Sequence, residues 1–403
     1  MKNTFVFFLL NPFLGFIQAF KHYKDNWAKN SVWVFVIFYG FTMSRPEEKD
    51  SSRYVTKLHD LYAAPISWES FTNNFYADEG NAIDIYQPLL TYIVSLVTDN
   101  GNVLFALFGV VYGYFYSRNI WLLFGLLKDK YMNWSLWVIL ITFICVIGFW
   151  ELNGVRMWTA AHIFFYGVFT FIEKENKKGL LIAVSSVLVH FSFVLPVSIL
   201  IFFLVVKLPW KILYFIFIAS FFISELNIGS IGEFFSNIAP EFLVPKIKSY
   251  TSDEYVEVVS EGSLGNWYIQ YYTKMLGWFI FVMISTIYFS SLSMLKADKK
   301  FSSFFIFTLL FLSVGNVMSL VPSGGRYLII ARLFAMALLF LFYVKYEVII
   351  YKRWVTLLTP MLLFFIIVSI RASLETVTFV TVLANPILAV FIDAPIPIDT
   401  LIK

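Results

Sequence analysis

Charge is scarce in this chain: 14% of its 403 residues are Asp, Glu, Lys or Arg, against 59% hydrophobic and 20% aromatic. Soluble domains carry about a quarter charged residues, so a string of two or three water-soluble domains is excluded. Cysteine is nearly absent; Cys145 stands alone inside an apolar run, which excludes an internal disulfide in any compartment. The four histidines have no metal-ligand spacing, which argues against a zinc site. The chain also lacks the GxxxxGK[ST] phosphate loop, the GxGxxG dinucleotide turn, the HExxH zinc motif and the Asp-x-Asp pair that would hold a nucleotide-sugar's metal. An enzyme made from this sequence would have to work with carboxylates, arginine and one histidine, and no cofactor is expected. Nothing in it points to nucleic acid.

What the chain has in quantity is apolar runs, close to the roughly 20 residues a helix needs to cross a bilayer. They predict an all-α polytopic membrane protein, one integral membrane domain over 1–403 with about eleven transmembrane helices at 27–44, 103–127, 134–150, 157–172, 179–190, 194–206, 211–225, 274–295, 301–320, 327–344 and 354–370. The region 179–206 reads as one long span or as a hairpin of two short ones broken near "HFSFVLP", and charge arbitrates. With the hairpin, the basic clusters around Lys21, Lys128, Lys174, Lys207, Lys296, Lys345 and Lys352 fall on one side, which is then the cytoplasm. The acidic residues gather opposite, in two large extracytoplasmic segments, 45–102 and 226–273. Spanning "DIYQPLLTYIVSLVTD" (Asp84 to Asp99) would turn the basic loops outward, so that stretch is expected as a helix lying in the outer interface. The opening "MKNTFVFFLLNPFLGFIQAF" has no small-residue cleavage site and is expected to be retained as an interfacial or re-entrant segment.

A few ionisable groups sit in or near the hydrocarbon: Glu151, Arg156, His162, His190, Arg326 and Arg332. Each is costly if it faces lipid, roughly 2.5–3.5 kcal/mol for a central Arg on insertion scales, so these groups should face the bundle or a wet cavity. In the topology above Glu151 and Arg156 flank the outer turn "ELNGVR", His190 tips the short hairpin, and Arg326 opens a helix after "PSGG"; all four fall at the level of the outer leaflet. A plain Glu151–Arg156 ion pair and a snorkelling Arg remain the simpler readings of any one of them. His162 and Arg332 each follow an Arg by six residues, roughly 9 Å deeper and on another face. His162 is expected to be a satisfied interior histidine and Arg332 an interhelical partner or the lining of a deeper cavity. In "RPEEKDSSRYV", Asp50 and Arg53 stand at i, i+3 and could pair on a helix. Trp267, Tyr268, Tyr271 and Tyr272 form either an aromatic belt or a platform for sugar faces.

In order, "DSSRYV", "NGVRMWTAAHIFFYGVF", the basic "EKENKKG" and "SSVLVHFSFVLP" resemble the successive motifs of the EpsG/Wzy-like bacterial polysaccharide polymerases. The resemblance covers the first half; later only "GGRYLIIARL" (Gly324 to Leu333) is similar. It maps the acidic-aromatic patch to Asp50, Arg53 and Tyr54, the helix arginine to Arg156, and the hairpin histidine and serine to His190 and Ser192. Met157 departs from the glutamine common in that family. The resemblance implies a metal-independent glycosyltransferase of the bacterial inner membrane, acting on its periplasmic face. It would join lipid-pyrophosphate-linked oligosaccharide repeats into O-antigen, capsule or exopolysaccharide, with donor and acceptor both on polyprenyl pyrophosphate and a chain-length regulator as a further partner. Arg156 and Arg326 would hold the pyrophosphate, assisted by Arg53, Tyr54 and Arg332, with Trp267 and Tyr271 against the glycan. Asp50, His190 and Glu151, in that order, are candidates for the general base. A flippase of lipid-linked sugars and a ligase that moves finished glycan are the rival readings; an outer-face acyltransferase is the third.

Overall fold

The structure, a computed structural model, describes residues 9–76, 84–128, 130–223, 266–392 and 396–401. Of the expected outer segment 226–273, residues 226–265 lie outside the described residues. Among the described residues the chain is helical throughout, apart from one isolated antiparallel bridge between Thr378 and Pro397. In order come α1 (Pro12–Lys21), α2 (Ala28–Thr42), α3 (Asp50–Ala63), α4 (Trp68–Tyr76), α5 (Tyr86–Ser95), α6 (Gly101–Phe124) and α7 (Trp134–Val146). A 3-10 turn, Phe149–Gly154, leads into α8 (Val155–Lys174), followed by α9 (Lys178–Val189), α10 (Val194–Val205) and α11 (Trp210–Phe222). The remainder is α12 (Trp267–Ser290), α13 (Leu292–Ala297), α14 (Lys299–Met318), α15 (Gly325–Lys345), α16 (Ile349–Ser373), α17 (Phe379–Leu383) and α18 (Pro386–Ala389).

All eleven apolar segments read from the sequence are therefore helical. Among the described residues five stretches are both long and apolar enough to cross a membrane: Trp134–Lys174 with its 3-10 interruption, α12, α14, α15 and α16. Helices α9 and α11 and the stretch Phe191–Val205 are apolar but shorter. Such a set of helices points to a multi-pass membrane protein. At ten residues, about 15 Å, α5 is too short to span. It buries Gln87, Thr91 and Tyr92, while Ile93 and the flanking Ile85, Leu96 and Val97 stay exposed. The break in 179–206 falls where expected: His190 leaves α9 with an extended backbone, and Pro196 sits in the first turn of α10, where a missing N–H costs nothing.

The chain divides into two compact units. The first comprises 1–131, 147–197 and 369–403. Its centre is the pair α2 and α6, which approach closely because Gly40 faces Phe105 and Gly109 and Gly113 face Val36. Trp33 Nε1 donates to the Val110 carbonyl at 2.8 Å across the same seam. Of the opening segment, expected to be interfacial or re-entrant, residues 1–8 lie outside the described residues; the ten-residue helix α1 packs Phe13 and Phe16 on Phe35 of α2, and Phe20 on Trp121 and Phe124 of α6. Its cap residue Asn11 donates to Val382 of the C-terminal tail. That tail, whose place the sequence left open, clasps the end of α2 through Thr42–Thr381 (2.8 Å), Thr378 to the Thr42 carbonyl (2.8 Å) and Tyr39 to Thr376 (2.7 Å). Helices α8 and α9 meet at two glycines, Gly167 against Ala183 and Gly179 against Phe171.

The second unit comprises 132–146 and 198–368. In it α14 and α15 pack through Phe304, Phe307 and Phe311 against Phe334, and Asp298, which caps α14, also binds Lys345 and Tyr346 at the far end of α15. Tyr214 of α11 stacks on Tyr288 of α12 at 3.7 Å.

The α8–α9 seam sets a first prediction. A methyl group on Gly167 would lie 2.6 Å from the Gly179 carbonyl oxygen, whereas one on Gly125 meets nothing nearer than 3.4 Å. Gly167→Ala should cost about 1–3 kcal/mol of overpacking and visibly lower the melting temperature of the detergent-solubilised protein. Gly125→Ala should leave it unchanged, and equal melting curves for the two variants would contradict this packing.

Candidate functional site

The geometry around His190 follows from the way α9 ends. With His190 extended (φ −150°, ψ 116°), the Phe191 N–H heads a new 3-10 turn and has no helical acceptor. Asp84 supplies one: its Oδ1 accepts from Phe191 N at 2.6 Å. The other oxygen, Oδ2, accepts from His190 Nδ1 at 2.8 Å and from Arg156 Nη1 at 2.9 Å. The Ile85 N–H bonds the Leu188 carbonyl at 3.2 Å, so the entry to α5 is docked on the end of α9. Arg156, second residue of α8, donates through Nε to the Tyr54 hydroxyl at 3.1 Å. Tyr54 is itself buried on α3 against Phe108, which also packs on Tyr86 at the start of α5.

Exposure grades across the cluster. The side chains of Asp84, His190 and Arg156 are 5%, 19% and 36% exposed, a closed floor and an open mouth. Among the described residues His190 Nε2 and Arg156 Nη2 have no hydrogen-bond partner, and neither is sealed from solvent. Burial works to raise the Asp84 carboxyl, but the His190 hydrogen bond and charge, the Phe191 N–H and Arg156 outweigh it and hold it below the ordinary carboxylate range. Burial pushes the Tyr54 phenol up, so it stays protonated at neutral pH. Lys57, one turn further along α3, is held below the ordinary lysine range by partial burial and then by the like charge of Arg156. Cations therefore dominate the mouth, and the one deeply placed carboxylate is already engaged. Such a site can grip an anion with a forked donor and exchange a proton through an imidazole.

The sequence-predicted residues distribute as follows. Tyr54, Arg156 and His190 come together. Asp50 opens α3, 3.7 Å from Arg53 in the expected i, i+3 pair, and lies within electrostatic reach of Arg156 and Tyr54; Arg53 points into solvent. Glu151, in the 3-10 turn, lies within electrostatic reach of the Tyr39 and Tyr112 hydroxyls, while Arg156 takes Asp84 as its carboxylate. His162 is a satisfied interior histidine, its ring nitrogens facing Asn119 (3.2 Å) and Tyr112 (3.3 Å). Ser192 donates to the sulfur of Met157 at 3.7 Å, so the residue that departs from the polymerase pattern still takes a weak hydrogen bond.

Four predicted residues belong to the second unit. Arg326 is the exposed second residue of α15. Arg332, half-buried, lines a small cavity with Phe217, Phe221, Gly277, Asn316 and Leu328. Trp267 stacks on Phe364 at 6.0 Å, and Tyr271 carries the Lys274 ammonium over its ring at 5.5 Å; both rings remain about half open or more. Among the described residues no three His, Cys, Asp or Glu side chains are grouped so as to hold a metal.

Asp84 is the residue that sequence reasoning missed. It had been counted only as one of several acids in an outer loop. The available signal, a carboxylate bordering an apolar stretch, is weak, because Asp99 at the other end of the same stretch shares it and is exposed.

Because the folded-state value of Asp84 lies below the unfolded value of about 3.9, the stabilisation it supplies is complete above about pH 4. It is lost as pH falls through the folded value. Asp84→Asn should therefore melt below the wild type at neutral pH, with the gap closing as the buffer is taken below pH 4. A gap that stays constant through this range would contradict the ionised, paired carboxylate.

This chain matches no family model, no curated protein and no solved structure.

Proposed function

We propose that the protein is a glycosyltransferase of the bacterial inner membrane that joins lipid-pyrophosphate-linked oligosaccharide repeats on the extracytoplasmic face, without a metal. The observation that carries this reading is Arg156: a forked cation at the mouth of a mostly closed cluster, oriented by Asp84 and Tyr54, with Nη2 open. A departing pyrophosphate needs that kind of donor, and stabilising charge that develops on a leaving group is often the largest catalytic contribution. Lys57 adds a second cation nearby; Arg326, a candidate from the sequence, is an exposed residue of the second unit. Donor and acceptor would both be polyprenyl-pyrophosphate glycans, with a chain-length regulator as a partner.

The finer architecture belongs to the same proposal: eleven spans, α2 running outward, and α3, α4 and α5 gathered at the outer surface. An odd number of spans leaves the C-terminal tail on the side where α2 ends. The hydrogen bonds of Thr376, Thr378 and Thr381 to the end of α2 support that arrangement. The order of the short motifs, which resembles that of the polymerases, supports the activity.

Arg156→Ala and Arg326→Ala should each reduce chain extension by roughly 100-fold or more and leave one-unit glycolipid on the outer leaflet. Arg156→Lys should recover only part of the loss, since an ammonium cannot form the fork. Glycan laddering on a gel reads the outcome. Wild-type modal lengths in both alanine variants would overturn the site; glycolipid trapped on the cytoplasmic leaflet when the protein is deleted would establish a transporter instead. A full-length glycan that fails only to reach its final carrier would identify a ligase.

A further inference from the structure

A histidine becomes a base or a donor according to which ring nitrogen holds its proton, and the partner of the other nitrogen decides this. Asp84 makes that choice for His190. Its carboxylate takes hydrogen bonds from the Arg156 guanidinium and the Phe191 amide, both obligatory donors, so it is an ionised acceptor. The bond at 2.8 Å to His190 Nδ1 must then be donated by the ring. In the neutral imidazole the proton is on Nδ1, and Nε2 presents a lone pair. Among the described residues nothing bonds Nε2, and it is not sealed from solvent.

We propose, resting on the glycosyl-transfer reading above, that Asp84 is a positioning residue that makes His190 the general base for the acceptor sugar hydroxyl. Asp50, the first candidate from sequence, is less suited. It is 45% exposed at the start of α3 and paired with Arg53, with nothing to aim it at a substrate gripped by Arg156. Glu151 lies toward Tyr39 and Tyr112. His190 alone among the three shares a carboxylate oxygen with Arg156. That common oxygen ties the group that takes the hydroxyl proton to the group that receives the leaving phosphate, at 2.8 and 2.9 Å from one atom. A base and a leaving-group clamp fixed to one another hold both ends of a displacement in register.

The step balances without another reactant. The acceptor hydroxyl gives its proton to His190 Nε2 while its oxygen bonds the anomeric carbon of the donor. The anomeric carbon–oxygen bond to phosphate breaks, and the electron pair leaves with the lipid pyrophosphate, whose charge Arg156 meets. The imidazolium, stabilised by Asp84, returns its proton to water.

The test uses full-length protein in proteoliposomes with a lipid-pyrophosphate oligosaccharide as donor and acceptor. His190→Gln, which leaves Asp84 its Arg156 partner, should lower kcat by about 10²–10⁴-fold with little change in KM. Asp84→Asn should lower kcat, since the imidazole loses the carboxylate that orients it; Asp84→Glu should restore part of the loss. The other groups facing this corner are Arg156 on α8 and Tyr54, Lys57 and Asp50 on α3, so Asp50→Asn is run beside them and should leave the histidine's protonated nitrogen unchanged. Nitrogen NMR of labelled histidine should find Nδ1 protonated and Nε2 bare at neutral pH in the wild type, and this preference lost in Asp84→Asn. An Nε2-protonated wild type, or an Asp84→Asn variant that folds and keeps the wild-type kcat, would overturn the assignment while leaving the transferase reading intact. A wild type that transfers no sugar would overturn both.

Discussion

A carboxylate with 5% of its side chain exposed has to be compensated, because an isolated buried charge costs far more than a small domain can absorb. Asp84 is compensated from three directions, by the Arg156 guanidinium, the His190 ring and the Phe191 amide. These donors come from the start of α8 and the end of α9, while Asp84 itself opens α5. Tyr54 brings in α3 through its bond from Arg156. Four elements of the first unit are thus indexed on one side chain. Each bond also sets a chemical state: the carboxylate stays ionised, the guanidinium keeps one face open, and the imidazole is held in one tautomer.

The rest of the unit makes that corner rigid. Glycines at 40, 109 and 113 let α2 and α6 close together, and Gly167 and Gly179 do the same for α8 and α9. Phe108, on α6, touches both Tyr54 and Tyr86, so the close-packed helices reach directly to the residues that frame the site. The threonine clasp from the C-terminal tail fixes the end of α2, from which the chain passes to α3. The proposed transfer between two lipid-borne substrates would depend on such positioning, since small misplacements of reacting groups are costly.

Much of this was legible in the sequence. Each of the eleven apolar runs read from the sequence falls on helix among the described residues, and five stretches are long and apolar enough to cross a membrane. The break at His190 was legible because Pro196 and a polar residue interrupt an apolar run. Arg156, His190 and Tyr54 stood out as ionisable or hydrogen-bonding groups at the edges of such runs. Asp84 did not, because its partners lie 72 and 106 residues away and no spacing rule links them. The same limit hid the tail: Thr378 and Thr381 meet Thr42 across more than 330 residues. Asp50, by contrast, was visible because its i, i+3 pairing with Arg53 is local.

The central claim is that this outer corner extends a glycan instead of moving one. The most direct measurement is made on the purified protein in sealed liposomes, with a lipid-pyrophosphate oligosaccharide of defined length in the outer leaflet, followed by mass spectrometry of the lipid-linked products. Products at whole multiples of the starting repeat, together with free lipid pyrophosphate in matching amount, are predicted. Glycolipid that stays at its original length, whether or not it changes leaflet, would contradict the account.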